Sequence, residues 1–394
     1  MNRVRDWLRS YSAAVVAVGT VSPVVAGVST IVAMFNPLPM PVFAGSTVVY
    51  GFALGVVVWL IASVLSVPLA SPASANRGSY TELLSRVQPI RLRIERWRAE
   101  ADQNVASRPR EALDEAESQL GRLDTMLTRP GLAWIEGDGY ISAWSLAHRS
   151  EEALIFAETR DEVRVEIEHD RLRLDGAAMS QRAQLSKLLD EADRRLDGFG
   201  LRPDRLTRAR AKSREVRNAI NAFRDGGFGG LVRLRNQTYV LLLLTSFNVY
   251  ALLALAIVGG AQRTTILAAA GFYLIGAVVG LFSRLYQQMT AAATVEDYGL
   301  ATARLFTIPI YSGLAGLAGV LLYGLTATFT SSGASARTLP SLDQVLSVVS
   351  NPFGVLLAAA FGAAPDFVLK GLSQVADKYK SEIVSTQASG RVAT

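Results

Sequence analysis

The chain contains no cysteine among its 394 residues and only two histidines, His148 and His169. The absence of cysteine excludes disulfide bonds, thiolate nucleophiles and cysteine-ligated metals. One Glu-x-x-His pair is present, Glu166 with His169, whereas di-iron helical bundles use two such pairs and two further glutamates. A solvated, salt-bridged helix surface is the favoured interpretation of both histidines. We therefore expect neither a metal nor any other cofactor.

Charge is absent from the interior of six apolar runs. These runs cover residues 12–35, 42–67, 239–258, 266–282, 305–329 and 345–364. About 20 apolar residues are enough for a helix to cross the hydrocarbon core of a bilayer. Ionisable residues within such spans mark ion and proton pathways, so their absence argues against an ion-coupled carrier. The sequence predicts an all-α polytopic membrane protein with about six transmembrane helices.

The charged residues are concentrated between the second and third of these runs. Residues 76–237 hold 29 of the 40 Lys+Arg and 27 of the 34 Asp+Glu. Strand signals are nearly absent there, and apolar residues recur at helical spacing. The three apolar stripes are Leu113, Ala116, Leu120, Leu123 and Leu127; Leu185, Leu188, Leu189, Ala192, Leu196 and Phe199; and Leu206, Ala209, Val216, Ala219, Ile220 and Phe223. We expect four or five helices in an elongated bundle with coiled-coil character.

The apolar runs and the charged segment divide the chain into four parts. We expect an N-terminal transmembrane hairpin in 1–70, a helical bundle in 71–237, a four-span transmembrane domain in 238–364 and an amphipathic tail in 365–394. The first run is longer than the apolar region of a signal peptide, so we interpret it as a retained span.

Basic residues predict the orientation of the spans. Arg3, Arg5 and Arg9 precede the first run, and the connections assigned to the inside are richer in Lys and Arg than those outside. The positive-inside rule then places both termini and the charged segment in the cytoplasm. Arginine outnumbers lysine and alanine is abundant, a composition that favours a bacterial source. The predicted location is a bacterial cytoplasmic (inner) membrane.

Two short motifs predict local structure at the ends of the charged segment. Ser79 and Glu82 have the spacing of a capping box, which would begin a helix at Ser79. The run Gly226–Gly230 precedes the third span, and its glycines would favour a hinge or a turn at the membrane surface.

A strongly basic stretch lies before this glycine run. If the hinge lets the stretch fold down, it could contact anionic lipid headgroups, although an ordinary solvated surface is the alternative. Nucleic acid is an unlikely partner, because no aromatic residues are interleaved and no known module is visible. The membrane-surface candidates are Arg202, Arg205, Arg208, Arg210, Lys212, Arg214 and Arg217.

Small and polar residues within the apolar runs are candidates for helix packing or for a pore. Glycines at such spacing allow helices to approach closely, within one chain or across a homo-oligomer interface. Asn248 could form interhelical hydrogen bonds or line a pore. Asn351 and Pro352 interrupt the last run, which predicts a kinked span or a re-entrant pair of half-helices. The helix-packing candidates are Gly51, Gly55, Gly276, Gly280, Gly313, Gly316 and Gly319.

No residue cluster in the sequence has a catalytic or cofactor-binding signature, and Gly226–Gly230 lacks the Gly-Lys-Ser/Thr ending of a phosphate-binding loop. We therefore expect a non-enzymatic protein whose main partner is the lipid bilayer. The first hypothesis is a sensor, scaffold or assembly component that binds a cytoplasmic protein through its helical domain. The alternative is a homo-oligomeric channel or pore gated by that domain.

Overall fold

The structure is a computed structural model that describes residues 22–35, 44–69, 71–102, 109–197, 203–290, 300–331, 345–346 and 353–363. Regular structure in these residues is helical throughout. The helices are α1 (Ser22–Phe35), α2 (Ala44–Leu69), α3 (Pro72–Ala75), α4 (Arg77–Asp102), α5 (Arg110–Thr128), α6 (Leu132–Glu136), α7 (Asp138–Leu154), α8 (Arg160–Gly176), α9 (Arg182–Leu196), α10 (Pro203–Val258), α11 (Arg263–Thr290), α12 (Leu300–Ser331) and α13 (Phe353–Gly362). A single 3₁₀ turn, Ile155–Ala157, joins α7 to α8.

Four of these helices contain stretches long and apolar enough to cross a membrane, namely α2, α10, α11 and α12. This confirms an all-helical protein with several candidate membrane-spanning helices. The first and last predicted spans contain the shorter apolar helices α1 and α13, which the structure describes over 14 and 10 residues. The predicted tail, 365–394, lies outside the described residues.

Glycines allow the apolar helices to touch along their backbones. A Cβ atom on Gly276 of α11 would lie 2.6 Å from the backbone oxygen of Ser312 on α12, and one on Gly316 would lie 2.7 Å from that of Ala358 on α13. Side chains at these positions would therefore force the three helices apart. Close packing of small residues is how helices associate when lipid removes the hydrophobic drive between them.

The other glycines predicted to pack helices also lie at contacts within the chain. Gly51 and Gly55 of α2 face α1, and Gly280 of α11 faces Ser312 and Gly362. Gly313 lies against the ring of Tyr273, and Gly319 lies against the ring of Phe361. The space that these glycines leave is therefore filled by neighbouring helices of the same chain.

The predicted bundle, residues 71–237, is here called the charged domain. Its described residues fold around two separate apolar cores, and α10 contributes to both. The proximal core, next to the apolar part of α10, joins α4, α5 and α7 to the α10 side chains Phe228, Leu231, Val232 and Leu234. The distal core joins α8 and α9 to the α10 side chains Ala209, Val216 and Ile220. Most members of the three predicted apolar stripes are buried in these cores.

Helix α10 runs without a break for 56 residues, from the distal core to the end of the third predicted span. Its length at 1.5 Å per residue is about 84 Å. The prediction of a hinge at Gly226–Gly230 is therefore wrong. Each glycine costs a helix about 1 kcal/mol relative to alanine, but Phe228, Leu231 and Val232 are almost fully buried in the proximal core. Packing of this turn outweighs its low helix propensity.

The predicted capping box at Ser79 and Glu82 is also wrong. Helix α4 begins earlier, at Arg77, and the Ser79 backbone N–H donates a hydrogen bond to Asn76 Oδ1 at 3.2 Å. Asn76 therefore supplies the capping oxygen, a common role for asparagine. A capping box does begin α8, where the Thr159 N–H donates to Glu162 Oε2 at 2.6 Å and the Glu162 N–H donates to Thr159 Oγ1 at 3.4 Å.

Candidate functional site

A buried layer of polar residues separates the two cores of the charged domain. On α10 it is formed by Arg217, Asn221 and Asp225, which are four residues apart and so lie on one side of the helix. This side faces α7 and α8, and the two helices supply acidic or basic partners for each of the three residues. We call these residues and their partners the charge layer.

Arg217 lies at the centre of the charge layer. Its Nε donates to both carboxylate oxygens of Asp170, at 2.7 and 2.9 Å, and its Nη2 donates to Glu166 Oε2 at 2.7 Å. Arg217 is 4% exposed and Asp170 is fully buried. A buried charge is tolerated only when it is paired and hydrogen-bonded, so each of these three side chains depends on the others.

The two carboxylates bound to Arg217 respond differently to their surroundings. Burial raises the pKa of Asp170, and the charges of Arg217 and Arg173 only partly offset it. Burial acts in the same direction on Glu166, but Arg217 and Arg93 outweigh it and lower the pKa. Glu166 is therefore the more firmly ionised partner of Arg217, because desolvation and opposite charge compete at both sites.

Two adjacent glutamates of α7 complete the layer. Glu151 Oε1 lies 2.7 Å from Arg86 Nε in an ion pair, and Glu151 Oε2 accepts a hydrogen bond from Arg86 Nη2 at 3.1 Å. Burial would raise the pKa of Glu151, but Arg86 and His148 lower it to about 2. Glu152 accepts a hydrogen bond from Asn221 Nδ2 at 2.8 Å, and burial raises its pKa.

Glu158 is the least compensated carboxyl group of the layer. It is 2% exposed, and its Oε2 has no hydrogen-bond partner among the described residues. Burial and the neighbouring charge of Glu166 raise the pKa of Glu158 to about 8. It borders an open cleft of about 510 Å³ whose other walls include Arg93, Trp97 and Val165. A buried titratable group beside a cleft is a candidate functional residue.

His148 extends the layer toward the proximal core. Its Nδ1 lies 2.9 Å from Asp225 Oδ1, but the two atoms are not aligned for a hydrogen bond. The imidazole ring lies 5.6 Å from the ring of Trp144. The Arg224 guanidinium lies over two aromatic rings, at 5.5 Å from that of Trp144 and 5.6 Å from that of Phe228. Among the described residues, no His, Asp and Glu groups have the arrangement of a metal site.

Two of the predicted membrane-surface arginines lie inside the domain instead. Arg217 belongs to the charge layer, and the buried Arg210 donates a hydrogen bond to the backbone oxygen of Glu158. Lys212 pairs with Glu191 at 2.7 Å, and Arg214 pairs with Glu115 at 3.1 Å. The prediction is wrong for the buried Arg210 and Arg217, because their side chains already bind groups distant in sequence. The half-buried Lys212 and Arg214 have their charges paired with acidic residues.

Arg205 and Arg208 are exposed but far from the apolar part of α10. Arg208 pairs with Asp204 at 2.7 Å, Arg205 is exposed, and Arg202 lies outside the described residues. Because α10 is continuous, Arg205 lies about 50 Å along the helix from Tyr239. Charges at a membrane surface are screened within about 8 Å at physiological salt, a range much shorter than this separation.

The junction between the charged domain and the apolar helices is tightly built. Arg235 Nη2 donates to the backbone oxygen of Ile135 at 2.6 Å, and Asn236 Nδ2 donates to that of Glu136 at 2.9 Å. These bonds satisfy carbonyls at the end of α6, as basic residues often do at helix C-termini. The next residue, Gly137, has a φ of 94°, and a Cβ there would lie 2.7 Å from Val232.

The predicted pore and kink residues give less information. Asn248 is exposed on α10. Nearby, Thr245 donates a hydrogen bond to the Tyr311 hydroxyl at 3.1 Å, which links α10 to α12. Asn351 and Pro352 lie outside the described residues, and α13 begins at the following residue, Phe353.

The sequence interpretation did not find the charge layer. The contacts of Arg217, Asn221 and Arg235 join residues 47 to 100 positions apart, so no local motif indicates them. Comparison with protein-family models, characterised proteins and solved structures finds no match to this chain. The functional argument therefore depends on the geometry alone.

Proposed function

We propose that the protein is a non-enzymatic membrane sensor or scaffold whose charged domain is mechanically joined to its membrane helices. The observation that carries the proposal is the continuity of α10, which belongs to both apolar cores, to the charge layer and to the apolar bundle. A change in charge or ligation within the layer would alter the packing of α10, and a rigid helix would transmit that change over its length.

The finer features of the proposal follow from the sequence. We propose six spans, with α1 and α13 as parts of the first and last, and a charged domain on the cytoplasmic side of a bacterial inner membrane. Basic residues at the ends of the apolar runs support this orientation. The domain would bind a cytoplasmic protein partner, and the chain would act as a homo-oligomer.

Spin labels can test the mechanical connection, because the chain lacks cysteine and accepts labels at chosen sites. Leu255→Cys on α10 and Leu274→Cys on α11 place labels at positions 69% and 60% exposed. In full-length protein in lipid nanodiscs, pulsed electron paramagnetic resonance measures the distance between them. We expect Asp170→Asn, which weakens the charge layer, to shift or broaden that distance distribution.

The matched control is Asp175→Asn, which removes an exposed pair with Arg182 and should leave the distance distribution unchanged. If the distance distribution were unchanged in both variants, the sensor hypothesis would be overturned and only the role of an anchored scaffold would remain.

A homo-oligomeric channel is the second candidate. The observation that favours it is Asn248, a polar side chain exposed on a largely apolar part of α10. Purified protein in a planar bilayer should then conduct ions, and Asn248→Leu should reduce the unitary conductance. Absence of conductance at every voltage and lipid composition tested would count against a pore.

A further inference from the structure

A second cleft lies at the junction, where the first turn of α7 meets α10. Its volume is about 670 Å³. Asp138 of α7 and Arg233 and Gln237 of α10 form its polar rim, and its apolar wall is formed by Ile141, Val240 and Leu241. The cleft therefore spans the level at which α10 changes from charged to apolar sequence.

The two charged residues of this cleft are free to bind a ligand. Asp138 and Arg233 are both exposed, and neither side chain forms an ion pair or hydrogen bond with any described residue. Arg235, two residues further along α10, instead donates to α6. Opposite charges thus line one cleft without pairing with each other, which leaves one site for an anion and one for a cation.

The apolar side of the cleft continues onto the surface of the apolar helices. Val240 is 57% exposed and Leu241 is 43% exposed. Both lie at the beginning of an uncharged run that continues to Val258. A ligand that fills the cleft therefore needs two charges of opposite sign at one end and a hydrocarbon portion at the other.

We propose that this cleft binds the headgroup of an aminophospholipid, that is, a lipid with a phosphate and a primary ammonium group. The phosphate is held by the Arg233 guanidinium and the Gln237 amide, and the ammonium by the Asp138 carboxylate. The upper part of the acyl chains lies along Val240 and Leu241. Charge-assisted hydrogen bonds of this kind are the strong ones, and basic pockets at helix–membrane boundaries recognise lipid headgroups.

Gly229 keeps the cleft open. A Cβ atom at Gly229 would meet only Ile141 Cδ1, at 3.8 Å, which is ordinary van der Waals contact. A larger side chain could therefore enter the cleft from α10 without displacing the backbone. Gly226, on the same helix, has nothing within 4 Å of its Cβ position and is not part of the cleft.

Native mass spectrometry of the full-length protein in detergent can test the lipid class. The probes are phosphatidylethanolamine, phosphatidylcholine and phosphatidylglycerol, added separately at equal concentration. The first has a primary ammonium, the second has a quaternary ammonium without N–H donors, and the third has no cation. We expect phosphatidylethanolamine to bind about fivefold more tightly than phosphatidylglycerol, the factor contributed by one charge near a membrane surface. It should also bind more tightly than phosphatidylcholine, whose quaternary ammonium cannot donate a hydrogen bond to the Asp138 carboxylate.

Charge variants separate the two halves of the headgroup. Arg233→Gln should weaken all three lipids, whereas Asp138→Asn should remove only the preference for phosphatidylethanolamine. The matched controls are Arg205→Gln and Asp175→Asn, both exposed and in the distal part of the domain, which should bind like the unmodified protein. Equal binding of the three lipids to the unmodified protein would overturn the proposal, as would Arg233→Gln without effect.

A steric variant provides an independent measurement. Gly229→Leu should abolish preferential binding of phosphatidylethanolamine, while Gly226→Leu should retain it. Circular dichroism of both variants checks that α10 remains helical. Retained preference in a correctly folded Gly229→Leu protein would show that the lipid binds elsewhere and would overturn the site.

Discussion

The Arg217 guanidinium lies against the Asp170 carboxylate in the interior of the charged domain, with Nε 2.7 Å from Oδ1. Arg217 belongs to the helix that continues into the apolar bundle, and Asp170 belongs to α8 of the distal core. The pair therefore fixes the position of α10 relative to the rest of the domain. Because both groups are buried, the loss of either leaves a charge that neither water nor another residue can fully compensate.

Asp170→Asn should lower the free energy of unfolding of the charged domain by about 3 kcal/mol, the low end of the range for breaking a buried ion pair. Glu166 still accepts from Arg217, so the loss should not be larger. Pulse proteolysis of the full-length protein in detergent measures the change. Asp175→Asn is the control, since exposed pairs contribute about 0–1 kcal/mol. Equal losses in the two variants would contradict a structural role for the charge layer.

The stability of the charged domain should fall as pH rises from about 5 to 8, because of Glu158. Folded Glu158 keeps its proton up to a pKa of about 8, above its ordinary value of 4.5. Its contribution is therefore complete at low pH and is lost as pH rises through the folded pKa, with a slope of at most about 1.4 kcal/mol per pH unit. The groups facing it are Glu162 and Glu166 on α8, Arg93 on α4 and Arg217 on α10.

Two variants identify the source of this pH dependence. Glu158→Gln, which is uncharged at every pH, should flatten the stability profile between pH 5 and 8 as measured by thermal unfolding. Glu151 has a pKa lowered to about 2, so its contribution is present above its ordinary value and is lost as pH falls through about 2. Glu151→Gln should therefore change only the acid side of the profile. If the stability of the Glu158→Gln variant still fell between pH 5 and 8, the proton released in that range would belong to another group.

Arg235→Ala should loosen the contact between α10 and α6. The substitution removes the donor to the Ile135 backbone oxygen, and a buried acceptor left without a partner costs about 1–3 kcal/mol. Hydrogen exchange of the full-length protein should be faster around Trp134, which is buried in the proximal core. Arg233→Gln, two residues away, should leave exchange there unchanged. Faster exchange in both variants would indicate a general effect of removing positive charge from this part of α10.

Gly276→Leu should destabilise the packing of α11 against α12. The new side chain begins 2.6 Å from the Ser312 backbone oxygen, and overpacking costs about 1–3 kcal/mol. The melting temperature and the yield in detergent should both fall. Gly271→Leu, on the same helix with nothing within 4 Å of its Cβ position, should have little effect. Similar melting temperatures for both variants would contradict the close backbone contact.

Periodicity in the sequence was sufficient to predict the helices and much of the apolar core. Leu113, Ala116 and Leu123 are buried as the first stripe predicts, and Leu189 and Ala192 are buried as the second predicts. These positions repeat every three or four residues, so local spacing alone indicates which side of each helix is buried. The long uncharged runs likewise indicated the helices that could enter a membrane.

Long-range contacts account for most of what the sequence did not indicate. The glycine run at Gly226–Gly230 has the composition of a hinge, but its intervening Phe228 packs against α7 through Trp144. Arg210 and Arg217 resemble an exposed basic surface until their partners on the preceding segments are known. Helix propensity and charge counts describe each residue alone, whereas tertiary packing decides between burial and exposure.

Because α10 is unbroken, its apolar half has a fixed rotation about the helix axis relative to the charged domain. An α-helix turns about 100° and advances about 1.5 Å with each residue. One residue inserted after Asn236 would therefore rotate the apolar half of the helix by that angle relative to the charged domain. An insertion of about seven residues, close to two full turns, would nearly restore the original orientation. Longer insertions would therefore move the two halves steadily further apart, whereas the relative orientation of the halves would recur with every turn.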